Sequence, residues 1–532
     1  MGQVAATISN NEDTENTSRN TIYMAAGTAL SRLTGLMRIF ALAYALGFGT
    51  LADSYNLSNT LPNIIHDLVL GGVLSATFVP VFVEYISSKR ETAEDDISAI
   101  VTTSIVLLAI ASLLFLVLAP YIVNFIDLYA TSGVHSHELP LTVDLLRLFT
   151  PQLACYGLFG LITSLLNAHR KFALPAFAPI ANNISTIAVL VAFGLLARNP
   201  NAVWLSHHTS LLMLLGLGTT FGIFLQLIIL LPSIRSLHLR LHWNPSFFSP
   251  PVKKIAHLGA WTLGFIIANQ ISLLIVLMIA QHLEVGAVSA YTYAYSFFQV
   301  PFGIITVSVM ATAVPALAGS WLRNDVSVFN KLFSVGLLRI IAIVIPAMAV
   351  EVITARPLIA LLLGHGAGNF NNTAATGEAL AMLALGLPGF SVFMYCMATF
   401  QSIQRMKTVF VLYFIQNCIN IILAFLLPTV IGLRGLMLSI ALSYDVMAIV
   451  ALILIARRLL PDNFRFPWRI VLRICIATLF MSLAIAAGLS ISGSDTTQWL
   501  IIRVGTALVG GGMLYLLISI LLGVIDRGIR HV

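Results

Sequence analysis

Two arginines lie inside the first long apolar stretch of the chain, where charged side chains are rare. Arg32 and Arg38 interrupt a run of mostly apolar residues that extends from Ile22 to Leu46. A guanidinium near the centre of a bilayer costs roughly 2.5–3.5 kcal/mol even on a lenient insertion scale, so it normally faces a water-filled cavity or an anionic partner. The pair predicts a membrane cavity that handles an anion. The alternative is that Arg38 pairs with a carboxylate of another helix and is structural.

Four further polar residues follow this stretch and are candidate substrate-binding residues. Asp53 could cap the next helix, as Asp often does, or it could act as a counter-ion for the two arginines. Asn63, His66 and Asp67 are spaced i, i+3 and i+4, so they share one face of a predicted helix. A buried Asp beside a His could titrate or pair with an arginine. A polar patch that satisfies itself between helices is the alternative for these three.

Two more groups of polar residues lie in the second half of the chain. Asn269 and Gln270 could line the same cavity, although hydrogen bonding between helices explains them equally well. Asp445, with Asn417 and Asn420, is a candidate cation site. Apart from that, we expect no metal and no cofactor. The four cysteines are isolated, and the chain contains no Gly-x-x-x-x-Gly-Lys-Ser/Thr loop for a nucleotide.

The composition is that of a membrane protein. Of 532 residues, 58% are hydrophobic and only 9% are charged, whereas soluble globular chains carry about 25% charged residues. The net charge of +7 would suit a nucleic-acid-binding protein. The basic residues, however, lie in short loops between apolar runs, which is typical of cytoplasmic loops. We therefore predict a polytopic membrane protein with no nucleic-acid partner.

Fourteen apolar runs are long enough to cross a bilayer, which takes about 20 residues. They fall near 21–47, 60–86, 97–124, 142–167, 174–197, 210–231, 255–281, 288–317, 332–355, 377–402, 408–430, 433–456, 470–490 and 499–524. The chain is therefore predicted to be an all-α membrane protein with about 14 transmembrane helices. Residues 1–20 are polar and are predicted to form a disordered cytoplasmic tail.

The placement of lysine and arginine orients these helices, because cytoplasmic loops carry an excess of both. With the N-terminus inside, nearly all of the basic loop residues fall on the inside. The outside loops hold only Arg198, Arg356, Arg434 and Arg503. We therefore predict a multi-pass protein of the cytoplasmic membrane with both termini in the cytoplasm.

An internal repeat recurs at a constant offset of 235 residues. The equivalent positions include Ala52 with Ala287, Ser54 with Ser289, residues 76–80 with 311–315, Arg170 with Arg405, and Asn182 with Asn417. Six predicted helices separate each pair, so the repeat is parallel. It predicts two six-helix lobes, residues 21–235 and 236–460, followed by two C-terminal helices over residues 461–532. A transporter of this kind keeps its substrate site in a cleft between the lobes.

Several motifs of the chain resemble those of the MurJ/MviN family of lipid II flippases. They are residues 31–38, Ala52-Asp53, residues 61–63, residues 78–80 and residues 166–179. The resemblance implies the fold of the multidrug/oligosaccharidyl-lipid/polysaccharide exporters. It also implies translocation of lipid II, the undecaprenyl-pyrophosphate-linked peptidoglycan precursor, to the outer leaflet by alternating access. Arg32 and Arg38 then match cavity arginines that engage the pyrophosphate, and Asp53 matches an acidic position important to the family.

The chain departs from many family members at a few positions and resembles the actinobacterial branch. It has His66 and Ser296 where many members have arginines, and Gly71 where they have a glutamate. The resemblance therefore implies a less cationic cavity, in which His66 could supply part-time charge. Coupling to the membrane potential or to a monovalent ion stays open. The expected partners are lipid II, membrane lipids and proteins of cell-wall synthesis.

Two other functions fit parts of the pattern. A multidrug/cation antiporter of the same superfamily would favour a carboxylate-lined first lobe over an arginine-lined one. A polyprenyl-sugar glycosyltransferase would need acidic catalytic residues on sizeable outside loops, and the outside loops of this chain are short. We therefore expect a transporter and not an enzyme.

Overall fold

The structure is a computed structural model that describes residues 26–66, 78–87, 93–127, 139–197, 200–237, 239–367, 373–460, 466–491 and 497–524. The predicted tail over residues 1–20 lies outside these residues, and so do Asp67 and Gly71. His66 is described as the last residue of a helix, but its side chain is outside the described set.

Every regular element of the described residues is helical. The first half of the chain forms α1 (Ala26–Leu46), α2 (Thr50–His66), α3 (Val79–Ser87), α4 (Ala93–Asp127), α5 (Leu139–Ala168), α6 (Ala173–Leu196), α7 (Ala202–Ser206), α8 (Thr209–Ile228), α9 (Leu231–Arg235) and α10 (Pro250–Leu283). The second half forms α11 (Ala287–Pro301), α12 (Val307–Leu322), α13 (Val326–Leu363), α14 (Ala374–Ala384), α15 (Leu387–Ser402), α16 (Met406–Leu426), α17 (Pro428–Arg458), α18 (Trp468–Ser490) and α19 (Thr497–Leu521). One π-helical turn, Phe302–Thr306, joins α11 to α12.

The predicted all-α membrane fold is confirmed. Within the described ranges, 12 helical stretches are long and apolar enough to cross a membrane, or 13 if the pair of α14 and α15 is one span. That pair is bent by 50° at its break. The count of fourteen stays a prediction, because the second predicted run, 60–86, crosses residues 67–77, which are not described.

The chain divides into two compact units. Of the described residues, unit 1 holds those up to Leu46 and those of 54–270, and unit 2 holds Gly47–Asp53 and those from Ile271 onward. The division therefore falls within α10, and unit 2 includes α18 and α19. The lobe boundaries proposed from the repeat, after residues 235 and 460, stay a prediction.

Buried hydrogen bonds join the helices of unit 1. The Tyr55 hydroxyl of α2 lies 3.0 Å from the Thr219 hydroxyl of α8. Gln152 of α5 donates to the Thr220 hydroxyl at 3.1 Å, and Thr220 donates to the Leu148 carbonyl at 2.8 Å. Because lipid offers no hydrogen bonds, polar groups inside a bundle of membrane helices find partners on neighbouring helices. These contacts hold α2, α5 and α8 together.

In unit 2 the C-terminal helices α18 and α19 pack against α13. Ala349 of α13, Met481 and Ile485 of α18, and Ala507 of α19 form one buried apolar cluster. Small residues at two of these four positions allow the helices to approach closely, as is usual between membrane helices. The three helices thus form a continuous part of unit 2.

Candidate functional site

The two arginines of α1 are accessible and carry no carboxylate partner among the described residues. Arg32 is exposed and Arg38 is half-buried. No ion pair or hydrogen bond of the described part of the chain involves either guanidinium. Neither arginine is therefore locked into a structural ion pair within the described residues.

Asn183 of α6 fixes the part of α1 that carries Arg32. Its side-chain amide donates to the Ser31 carbonyl and to the Thr34 hydroxyl, each at 3.0 Å. These two acceptors flank Arg32 along the helix, so its backbone is held while its side chain stays exposed. Asn183 is not among the candidate residues named from the sequence. The available signal was the adjacent pair Asn182-Asn183 inside an apolar helix, where polar side chains need partners.

Two accessible guanidiniums on one helix are suited to binding a phosphorylated group. Each guanidinium offers five N–H donors in a fixed planar arrangement, which matches the oxygens of phosphate groups. Hydrogen bonds between such charged groups are shorter and roughly twice as strong as neutral ones. α1 therefore carries two guanidiniums that suit an anion, and their role in binding stays a prediction. We call this pair the α1 arginine site and define it by Arg32 and Arg38.

Asp53 lies in the first turn of α2, but its carboxylate is held by the first turn of α11. One oxygen accepts from the Gly286 amide at 2.6 Å, and the other accepts from the Ser289 amide at 2.8 Å and the Ser289 hydroxyl at 2.6 Å. The side chain is buried, with 8% exposed. Asp53 thus satisfies amides at the N-terminus of α11, whose dipole favours a negative charge. We call this contact the Asp53 clasp.

Two glycines allow the segment before Asp53 to lie against α11. Gly286 precedes α11 with φ +88°, and an added Cβ would collide with the Phe48 carbonyl. Gly47 has φ +71°, and an added Cβ would lie 2.7 Å from the Ala367 carbonyl. Only glycine adopts such left-handed conformations at little cost. The Tyr293 hydroxyl of α11 donates to the Gly47 carbonyl at 3.0 Å. Residues 47–53 are therefore fixed on unit 2.

The neighbouring candidates on α2 are only partly described. Asn63 is half-buried and donates to the Asn59 carbonyl of its own helix at 3.0 Å. The side chain of His66 and all of Asp67 lie outside the described residues. The shared face of these three residues and their role in binding stay predictions.

Asn269 and Gln270 lie together in α10, at the end of unit 1. Gln270 is buried and Asn269 is half-buried. Neither is without an interaction partner in the described part of the chain. Their role in lining a substrate cavity stays a prediction.

The three residues of the candidate cation site have separate partners. Asn420 donates to the Ser272 hydroxyl at 2.9 Å, and Asn417 donates to a carbonyl of its own helix at 2.8 Å. Asp445 lies directly against Gly389, where an added Cβ would collide with its carboxylate. No group of three or more His, Cys, Asp or Glu side chains in the described ranges could hold a metal ion. The cation site stays a prediction.

A helical chain with at least 12 stretches able to cross a membrane belongs to the class of polytopic membrane proteins. Residues 42–505 match the family described as lipid II flippase MurJ. The chain therefore belongs to the MurJ family, and it is a transporter rather than an enzyme. The match begins after Arg32 and Arg38, so the α1 arginine site lies N-terminal to the matched region.

Individual relatives agree with the family. The lipid II flippase MurJ of Burkholderia cenocepacia is 28% identical over 389 residues, which are 72% of each chain. A probable lipid II flippase MurJ of Rhizobium tropici is 26% identical over 514 residues, covering 94% of this chain and 92% of the relative.

Solved structures show the same fold. A lipid II flippase MurJ in an inward closed conformation matches with a TM-score of 0.77 at 21% identity, covering 95% of this chain and 99% of the other. A multidrug resistance MATE family transporter of the MOP superfamily, in an inward-facing conformation, matches with a TM-score of 0.64 at 14% identity, covering 81% and 98%. The flippase and the multidrug transporter thus share an architecture. The family match distinguishes them and does not favour the antiporter.

Proposed function

We propose that this protein translocates lipid II from the inner to the outer leaflet of the cytoplasmic membrane by alternating access. Membership of the MurJ family supports this, because the relatives are named as flippases of this lipid. Lipid II combines a prenyl chain with a pyrophosphate-linked muropeptide. Its prenyl chain is compatible with the bilayer, and its charged headgroup needs a polar path across it.

The observation that carries this proposal is the free charge of the α1 arginine site. The pyrophosphate of lipid II is the strongest anion of that molecule, and Arg32 and Arg38 have no carboxylate partner in the described part of the chain. In our proposal the two guanidiniums bind the pyrophosphate within the membrane, and the prenyl chain stays in lipid. Asn63, His66, Asp67, Asn269 and Gln270 are the further candidate contacts to the headgroup.

Asp53 has a different role in this proposal. Because its carboxylate already accepts three hydrogen bonds from the start of α11, we assign it to the conformational change and not to direct contact with the headgroup. The Asp53 clasp holds residues 47–53 on α11 in the state described here. Its release would free α1 and α2 to move during alternating access.

The membrane determines the orientation of the protein, and its electrical potential is a source of energy for transport. The bias of lysine and arginine supports cytoplasmic termini. A charge that crosses the membrane potential changes energy by about 2.3 kcal/mol per 100 mV, so bound pyrophosphate and the arginines would respond to the potential. Coupling to a monovalent ion, and contacts with proteins of cell-wall synthesis, belong to the same proposal.

The α1 arginine site can be tested by complementation of a bacterial strain depleted of its own flippase. We expect Arg32→Gln, Arg38→Gln and the double variant to fail, with lipid II binding by the purified protein reduced at least about tenfold. A hydrogen bond to a charged group contributes roughly 1.5–3 kcal/mol, and about 1.4 kcal/mol is tenfold in affinity. Arg32→Lys and Arg38→Lys keep the charge and should retain part of the activity.

Arg235→Gln is the matched control, because Arg235 is also exposed but lies on the short helix α9. It should complement fully. Immunoblotting of a tagged protein establishes equal expression of all variants. Normal growth with a well-expressed Arg32→Gln/Arg38→Gln double variant would reject the proposed role of the site. Restored drug efflux by a strain lacking its exporters, without flippase complementation, would favour the antiporter.

A further inference from the structure

A second group of arginines lines a cavity of about 450 Å³ inside unit 2. The cavity lies among α13, α14, α17, α18 and α19. Its polar residues are Arg356, Glu378, Arg434 and Arg503, and we call it the arginine cavity. None of these residues belongs to the α1 arginine site. A volume of this size lies within the range of about 300–1,000 Å³ that is usual for small-molecule sites.

The arginine cavity has more positive than negative charge. Glu378 accepts from Arg356 with one carboxylate oxygen and from Arg434 with the other, the latter at 2.6 Å. One carboxylate thus neutralises two of three guanidiniums only in part. The Nε of Arg503 is buried and has no hydrogen-bond partner among the described residues. Asp495 is nearby in sequence and lies outside those residues. The three arginines and Glu378 together carry an excess of two positive charges.

The charged residues all lie near helix ends on one side of unit 2. Arg356 is seven residues before the end of α13, and Leu489 is one residue before the end of α18. Arg434 and Arg503 are each six residues after the start of their helices, α17 and α19. Arg434 also follows the kink of α17 at Ile431 and Gly432 by only two residues. Each of these residues therefore lies within about two turns of a helix end or kink.

Three of the four arginines that the sequence places on the outer side therefore converge in one cavity. Lysine and arginine are scarce in outer loops of membrane proteins, so a cluster of three there needs a specific explanation. Glu378 explains at most two of them. Their side chains are also reachable, since 65% of Arg356 and 51% of Arg434 is exposed.

The remaining wall of the cavity is apolar. It is formed by Val352, Ile353, Pro357, Ala381, Met382 and Leu489. Ile353 and Leu489 also pack against the buried cluster of α13, α18 and α19, so this wall is continuous with the unit's core. The cavity thus has guanidiniums on one wall and aliphatic side chains on another. Such a cavity is complementary to an amphiphile with an anionic headgroup.

We propose that the arginine cavity binds the headgroup of an anionic phospholipid of the outer leaflet. The phosphodiester lies on Arg434 and Arg503, and the glycerol and the first acyl carbons lie against Ile353 and Leu489. Basic pockets between membrane helices bind anionic lipid headgroups on the cytoplasmic or matrix side, and the same attraction between guanidinium and phosphodiester acts on the outer side. The bound lipid joins α17 to α19 and so tethers the C-terminal helices of unit 2. This site is independent of the transport substrate.

The test is retention of lipid by the purified full-length protein, measured by native mass spectrometry. Phosphatidylglycerol is compared with phosphatidylcholine, which has the same phosphodiester but no net charge. We expect wild type to retain phosphatidylglycerol at least fivefold better. Arg434→Gln/Arg503→Gln should bring retention down to the phosphatidylcholine level. Arg473→Gln, a half-buried arginine near the opposite end of α18, is the matched control and should behave as wild type.

The Glu378→Gln variant should change phosphatidylglycerol retention in the opposite direction. Removal of the only cavity carboxylate among the described residues raises the positive charge, so retention of phosphatidylglycerol should increase. A purely structural ion-pair network predicts no such increase. Arg503→Gln alone removes a side chain with no hydrogen bond in the described ranges. Arg503→Gln should therefore lower phosphatidylglycerol retention without lowering the thermal unfolding temperature. This single variant keeps the proposal testable if the double variant fails to fold.

Three results would overturn the proposal. The first is equal retention of the two lipids by wild type. The second is unchanged phosphatidylglycerol retention in the folded Arg503→Gln variant. The third is displacement of the lipid by inorganic phosphate at equal concentration, which would show a site for free anions and not for a phospholipid. Each of these readouts is separate from flippase complementation.

Discussion

The arginines of α1 in unit 1 and the carboxylates Asp53 and Glu378 of unit 2 differ in whether they have partners within the fold. On α1 of unit 1, Arg32 and Arg38 have no carboxylate partner among the described residues. In unit 2, Asp53 accepts three hydrogen bonds from the start of α11, and Glu378 pairs with two arginines. The carboxylates Asp53 and Glu378 of unit 2 are thus used within the fold, whereas the charge on α1 is available for a ligand.

This difference separates two consequences of removing a charge. A buried group whose partner is deleted leaves other polar atoms unsatisfied and costs free energy of folding. An exposed charge without a partner can be removed at little cost to folding. Variants of unit 2 carboxylates should therefore change stability, and variants of the α1 arginines should change transport alone.

Asp53→Ala should have the largest effect on stability. It leaves the buried amides of Gly286 and Ser289 without acceptors, and each unsatisfied buried group costs about 1–3 kcal/mol. We expect a clear fall in the thermal unfolding temperature of the purified protein. Asp53→Asn keeps one acceptor oxygen, so its unfolding temperature should lie between those of Asp53→Ala and wild type. An unchanged unfolding temperature for Asp53→Ala would show that the clasp contributes nothing to the fold.

Asp325 supplies a smaller, pH-dependent contribution. It caps α13 by accepting from the Val328 amide at 3.0 Å, and that bond lowers the pKa of its carboxyl below the ordinary value. The capping stabilisation is therefore complete above about pH 4 and is lost as the pH falls through the lowered pKa. Asp325→Ala should unfold at a lower temperature at pH 7, and the difference should shrink at lower pH.

Asp325→Asn is the control for this titration. An Asn side chain also caps helices but does not ionise in this range, so its difference from Asp325→Ala should not depend on pH. A constant difference between wild type and Asp325→Ala from pH 7 down to pH 3 would contradict the assignment.

The smallest effect on stability is expected for the α1 arginine site. Arg32→Gln and Arg38→Gln should change the free energy of unfolding by no more than about 0.5 kcal/mol, even though both are expected to abolish complementation. The measurement is thermal unfolding in the same detergent as for Asp53→Ala. A large loss of stability in either variant would indicate a structural ion pair, and the contrast between the two units would no longer hold.

Hydropathy was sufficient to predict the fold class and most of the spans, because the cost of burying polar groups in lipid leaves a strong signal. Breaks within the membrane spans could not be predicted from hydropathy. The run 377–402 was predicted as one helix, but it is bent between α14 and α15, where Gly386 lies directly against Ala441 of α17. Such a bend depends on packing against a distant helix, which hydropathy does not report.

The candidate site was predictable to a similar extent. The cost of burying a guanidinium made Arg32 and Arg38 candidates from the sequence alone, and their role in binding stays a prediction. The partners of Asp53 were not anticipated, because its donors lie 233 and 236 residues further along the chain. The repeat contained a hint, since its offset makes Ser54 equivalent to Ser289. Asn183 was missed because an amide side chain in an apolar helix does not reveal which carbonyl it meets, even when it is one of an adjacent pair.

The Asp53 clasp also sets an order of events during synthesis. The amide that Asp53 meets first in sequence is 233 residues away. At about 5–20 residues per second, a ribosome needs roughly 10 to 50 s to reach it. During that interval α11 does not yet exist, so the Asp53 carboxylate between α1 and α2 is hydrated at the membrane surface. A chain truncated before Gly286 would never acquire this anchor, so a separately expressed N-terminal half should leave residues 47–53 open to proteases.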